Sequence, residues 1–203
     1  MYNFGLVVIG AHNGQWLLDD IKKTSKNILL VEPVPYNFLQ LNSRYKHLNN
    51  IFFERNFVGG NNSQISFFFV KEDSISKLGK HWASGIGSFS KKHILDHKSK
   101  RFNINEDDIN EIQVQSITFN ELCEKHNITI IDKLLIDVEG SEKKIIESID
   151  YNKILIKELV FEYKHLDGNF IFNDNLKELI IFLNKKNFQE TYRDKENITF
   201  KVV

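Results

Sequence analysis

The sequence predicts an α/β fold, a mostly parallel sheet with helices on both faces. Three observations lead there. Apolar runs without polar alternation recur at Leu6–Ile9, Ile28–Val31 and Leu134–Ile136, the pattern of strands buried on both sides. Helix-like stretches lie between such runs, and alternating strands and helices give a parallel sheet. The first run breaks into Gly10-Ala11-His12-Asn13-Gly14, and the second ends in Glu32, 18 residues after Gly14. Strand, glycine turn, helix and a later acidic residue open a βαβ nucleotide-binding unit.

The bulk numbers narrow the class. At 203 residues the chain reads as one domain with room for a real core. Its 27 basic and 27 acidic residues cancel, which argues against nucleic acid or an anionic membrane as a general partner. No apolar stretch approaches the roughly 18 residues of a membrane span. The chain enters its first strand almost at once, so no signal peptide is expected. Cys123 is the only cysteine, which excludes an intrachain disulfide and fits a reducing, cytoplasmic compartment.

The elements follow in order. Residues 4–9 predict the first strand, and 14–25 a helix with Trp16, Leu17 and Ile21 turned inward. Residues 27–32 predict strand two. Pro33 and Pro35 end it, and Pro35 can open a helix over 35–46 with Phe38, Leu41 and Tyr45 on its apolar stripe. Residues 51–54 predict strand three, 56–62 a turn-rich link, and 64–70 an antiparallel strand near an edge. Residues 71–111 have weak periodicity, and a segment of that length inside a compact domain is expected to be functional. Its aromatics and glycines suggest a lid or substrate insert, with His81, Trp82, Ser84 and Ser88 at the mouth of a site. Residues 113–116 predict a strand. Thr118 then caps a helix to residue 126, with Glu121 completing a capping box. Leu134–Gly140 reads as a buried strand ending in Asp137 and Glu139, followed by a helix capped by Ser141. Residues 158–163 predict a strand and 174–187 an amphipathic helix. Residues 188–192 and 198–202 predict a closing hairpin, which places one antiparallel strand at or near an edge.

The pieces VVIGAHNG, LLVEPVPYNFLQL, the Asn56-Phe57-Val58-Gly59 turn and QSITFNELCEKHNITIIDKLLIDVEGSEKKII stand in the order of the FkbM family of S-adenosylmethionine-dependent methyltransferases. Over about residues 6–165, apart from the insert, the sequence resembles that family. The resemblance implies a Rossmann-like class I methyltransferase fold with seven strands, one of them antiparallel. It also implies S-adenosyl-L-methionine as cofactor and O-methyl transfer as the activity. Two positions depart from the family's pattern: Val8 stands where an acidic residue is usual, and His12 where an Asn is usual.

On this reading Gly10, Ala11, His12, Asn13 and Gly14 form the turn under the methionine part of the cofactor. Glu32, beside Pro33, accepts hydrogen bonds from the ribose hydroxyls. Asn56 and Phe57 lie against the adenine. Asp137 contacts the methionine amino group or serves as general base, and Glu139 orients substrate or holds a divalent cation with Asp137. His165 is a further candidate base because an imidazole titrates near neutrality. No residue is assigned as a metal ligand, since such transfers need no metal in principle. The expected acceptor is a small molecule or sugar, and a homodimer is compatible with the chain. A nicotinamide-dependent oxidoreductase fits less well, because the GxGxxG fingerprint is absent. A non-catalytic nucleotide-binding module is the other alternative.

Overall fold

In a computed structural model, described here for residues 2–96, 103–164, 166 and 174–203, the first apolar run is strand β1, Tyr2–Ile9. Its side chains divide between two cores. Phe4, Val7 and Ile9 enter one, and Leu6 and Val8 the other. Strand β2, Asn27–Val31, divides in the same way, with Leu29 and Val31 on one side and Ile28 and Leu30 on the other. Both faces therefore need a cover. Helices α1 (Leu18–Lys22) and α2 (Pro35–Tyr45) supply it on one side through Ile21, Leu41 and Tyr45. The other side is covered by α5 (Phe119–Lys125), α6 (Glu142–Ser148) and α7 (Asp174–Lys185). Their inward residues include Phe119, Leu122, Ile145, Ile146 and Leu179.

Seven strands make the main sheet, in the order β10-β11-β9-β8-β1-β2-β3. The remaining members are β3 (Ile51–Glu54), β8 (Ile128–Ile136), β9 (Leu155–Glu162), β10 (Phe188–Arg193) and β11 (Asn197–Val202). Pairings from β9 through β8, β1 and β2 to β3 are parallel. Strand β11 runs antiparallel to both β9 and β10, so the antiparallel strand sits one place in from the edge. A stacked pair, Phe161 and Phe200, joins it to β9 with ring centroids 5.9 Å apart. This is the seven-stranded sheet with one antiparallel strand that the resemblance implies. The chain leaves β1 toward β2 on one side and returns to β8 on the other. That reversal opens a crevice at the carboxyl ends of the strands, where ligands of open α/β sheets bind.

A second, four-stranded sheet was not foreseen. Its order is β4-β7-β5-β6, with β4 Phe57–Val58, β5 Ser63–Val70, β6 Gly87–Ser88 and β7 Ile109–Ile117. The Phe-rich strand is antiparallel as expected. It lies between β7 and β6, one place in from an edge of this second sheet. Between β5 and β7 the chain forms α3 (Glu72–Leu78), a 3-10 turn at His81–Gly85, β6 and α4 (Lys91–Leu95). These pieces enclose their own small core of Val70, Leu78, Ala83, Ile86, Ile94 and Ile104. Among the described residues no helix is long and apolar enough to cross a membrane.

Candidate functional site

A cavity of about 280 Å³ opens at the switch point, where β1, β2 and β8 end. Ile9, Gly10, Glu32, Asp137 and Val138 line its floor, and Asn56, Phe57, Phe67, Gly85 and Gly87 close other sides. Gly10 makes the junction possible. Its φ is +88°, and a Cβ there would stand 1.7 Å from the Asp137 carbonyl oxygen, so only glycine fits between the ends of β1 and β8.

Glu32 is the centre of the β2 side. It is 5% exposed. Its Oε2 accepts from the His12 backbone N–H and its Oε1 from that of Val34, both at 2.9 Å. Burial dominates those bonds and pushes its carboxyl up to about 7. The bond to His12 ties the glycine turn to β2. His12 itself has φ +52°, a left-handed conformation that His, like Asn, adopts more readily than most residues. Its Nε2 lies 2.7 Å from Ser84 Oγ, in the 3-10 turn. Val8 is fully buried beside Leu6, Ala11 and Leu17. A carboxylate at that position would face an apolar layer.

On the far side of Glu32, Phe57 packs against Phe67 with centroids 5.8 Å apart. Val34 and Phe69 complete this apolar wall. Asn56 lines the cavity and donates from Nδ2 to the Gln115 carbonyl at 3.3 Å. At the other end, Asp137 and Glu139 both line the cavity. Glu139 has φ +58° and Gly140 φ +111°, so the chain turns sharply after β8. Glu142 holds this turn. Fully buried, it accepts from the N–H groups of Val138 and Gly140 at 2.9 and 3.0 Å. Burial, together with the charges of Glu162 and Glu139, pushes its carboxyl up to about 7. Oxygens of Asp137, Glu142 and Glu162 lie within 4.8 Å of one another, a spacing at which carboxylates can share a proton or a cation.

The structure brings Gly10, His12, Glu32, Pro33, Asn56, Phe57, Asp137 and Glu139 to one cavity. Ala11, Asn13 and Gly14 lie behind it. Ala11 is buried against the sheet, and Asn13 Oδ1 accepts from the Gln15 N–H. A Cβ on Gly14 would stand 2.5 Å from Leu41, and its carbonyl accepts from the Tyr45 hydroxyl. These three shape the turn from outside the cavity. His165 lies outside the described residues, as do the side chains of His81 and Trp82. Trp16 is not inward: it is 44% exposed and lines the cavity. The reason is local, because Gln15–Leu17 is a 3-10 turn and α1 starts only at Leu18. Ser141 makes no side-chain cap to α6; Glu142 fastens that loop instead. Glu142, Asn37 and Phe67 escaped the sequence reading. A buried Glu beside a Ser and a buried Asn at a helix start carry no spacing signal. Phe67 is one of 17 phenylalanines.

The sequence matches the model of the Methyltransferase FkbM domain over residues 9–190. Among curated proteins none matches it. Several solved structures are similar in fold. Fibrillarin of Aeropyrum pernix with S-adenosyl-L-methionine bound is 12% identical, covering 97% of this chain and 66% of its own, at TM-score 0.46. A Streptococcus mutans protein in complex with SAH is 8% identical, covering 100% and 89%, at TM-score 0.49. An rRNA methylase of Streptococcus thermophilus is 11% identical, covering 100% and 90%, at TM-score 0.47. The family match spans most of the sequence and takes in every element around the cavity except β1, of which it includes only Ile9, and the chain therefore belongs to the FkbM methyltransferase family, whose methyl donor is S-adenosylmethionine.

Proposed function

We propose that the protein transfers a methyl group from S-adenosylmethionine to a hydroxyl of a small molecule or sugar. The observation that carries this reading is the placement of Glu32 and Asp137 on opposite sides of the Gly10 turn, in one cavity at the switch point. The residues present suit the cofactor. A carboxylate at the end of β2 can accept from a ribose diol. The turn at Gly10 leaves backbone free of side chain, and the wall of Phe57, Phe67 and Val34 offers an apolar face to a flat base.

When bound, S-adenosylmethionine supplies an electrophilic methyl group on a sulfonium sulfur. The work left to the chain is to align an acceptor oxygen with that methyl and to take its proton as the O–C bond forms and the C–S bond breaks. Asp137 and Glu139 are the candidate proton acceptors lining the cavity, with Glu139 orienting the acceptor where Asp137 meets the methionine amino group. His165 remains a third candidate. Among the cofactor contacts we place Gly10, His12, Glu32, Pro33, Asn56 and Phe57, with Ala11, Asn13 and Gly14 shaping the turn. The cytoplasm suits a chain with one buried, inert thiol, since burial pushes Cys123 up to about 12.

The test is incubation with methyl-labelled S-adenosylmethionine and a panel of sugars, phenols and alcohols. Label recovered as a methyl ether, together with stoichiometric S-adenosylhomocysteine, is the expected result. S-adenosylhomocysteine formed with the label recovered only on carbon, and none as a methyl ether, would overturn the O-methyl assignment.

A further inference from the structure

Ser84 lies far from the glycine turn in sequence, yet it is bonded both to that turn and to the first turn of α2. Its Oγ is 2.7 Å from His12 Nε2. Its carbonyl accepts from Asn37 Nδ2 at 2.7 Å and from the Tyr36 hydroxyl at 3.3 Å. Asn37 is 2% exposed and its side chain lies beside Glu32, favouring the carboxylate, and Glu32 accepts from the His12 N–H. Glu32, His12, Ser84 and Asn37 therefore form one polar chain beside the cavity. On the other side of Ser84, Ala83 and Ile86 are fully buried in the small core of the insert. The segment is held from both flanks, by polar bonds and by apolar packing. What it turns toward the cavity is Gly85 and Gly87. A Cβ on Gly87 would stand 2.6 Å from Phe67 and 3.4 Å from Val34, so bare backbone closes that side of the apolar slot.

We propose that residues 83–88 are the wall of the nucleoside half of the cofactor site, and that Ser84 is the positioning residue that keeps this wall closed through His12 and Asn37. The inference rests on the methyl-donor reading of the cavity. It assigns this part of the insert to holding the cofactor, not to covering the acceptor. The Ser84 hydroxyl is the tie between this wall and the glycine turn, and a wall so tied controls how long the cofactor stays. Losing that tie then acts mainly on the rate of release.

The experiment compares S-adenosylhomocysteine and 5′-methylthioadenosine binding to the wild type, Ser84→Ala and Ser84→Thr by calorimetry and stopped-flow Trp fluorescence. Ser84→Ala is expected to weaken both ligands by the same factor, about tenfold. Release should quicken, with the unfolding temperature of the free protein nearly unmoved, and Ser84→Thr should restore the affinity. The shared factor places the effect on the nucleoside half, while the faster release, the unmoved unfolding temperature and the rescue by Ser84→Thr are readouts that a purely structural role for Ser84 would not give. Hydrogen exchange adds a measurement on the unaltered chain: S-adenosylhomocysteine should slow exchange at amides 83–88. Wild-type binding with Ser84→Ala unchanged, or protection at residues 10–14 without protection at 83–88, overturns the inference and leaves the methyl-donor reading standing. No binding to the wild type removes that reading and the wall with it.

Discussion

Glu32 is held between two opposed demands. Burial favours its neutral form, while the His12 and Val34 amides favour the carboxylate. Ribose hydroxyls donating to it would favour the carboxylate further, so cofactor binding should lower its pKa and release a proton where it starts protonated. Affinity for S-adenosylhomocysteine should be complete above pH 7 and fall below it, reaching about tenfold weaker one unit down. Calorimetry at two pH values checks this. Glu32→Ala should cost about 1–3 kcal/mol of binding and remove most of the pH dependence. Gly10→Ala tests the turn instead. With φ +88° and the Asp137 carbonyl in the way, it should cost more than about 3 kcal/mol of stability, read by urea denaturation. Both residues were legible in the sequence, because a glycine after an apolar run and an acid at a strand end are positional signals. Glu142 and Asn37 were not. Their roles come from burial, and burial of a polar residue depends on what the rest of the chain brings over it.

At the scale of elements, local rules worked where the partner was also local. Thr118 accepts from the Glu121 N–H, and Glu121 accepts from the Thr118 N–H and hydroxyl, so the capping box stands as expected. Thr118→Ala should therefore destabilise the protein by about 1 kcal/mol in urea denaturation. It should leave S-adenosylhomocysteine affinity unchanged, since α5 lies outside the cavity. The same rules failed at α6. Ser141 has the right residue type for a cap, but the turn before it is left-handed at Glu139 and Gly140 and is fastened by Glu142. Strands β5 and β7 were legible as strands but not as a sheet of their own. Alternation shows which face is buried, whereas strand pairing is set by contacts distant in sequence. Trp16 was misplaced for a smaller reason. A 3-10 turn after Gly14 changes the period from 3.6 to 3 residues, which rotates it out of the core.

Over the whole molecule, the sheet order decides where chemistry can occur. A second cavity of about 390 Å³ lies near the start of β8, lined by Cys123, Thr129 and Asp150, at the end of the sheet away from Glu32. The carboxyl end holds the two carboxyls raised to about 7, Glu32 and Glu142. Both bind protons more tightly folded than unfolded, so stability is fullest below about pH 4.5 as far as they contribute, and is lost as pH rises toward 7. The loss should be on the order of a few kcal/mol between those limits. Urea denaturation across that range reads it, with Glu32→Gln reducing the slope. Carboxyls lowered by ion pairs, such as Asp108 beside Lys77, act below that window. The central claim, that this cavity is a methyl-donor site, is tested most directly by calorimetric titration of the protein with S-adenosylhomocysteine. Saturable one-to-one binding, weakened by Glu32→Ala, is the predicted result; no heat of binding at millimolar ligand would contradict it.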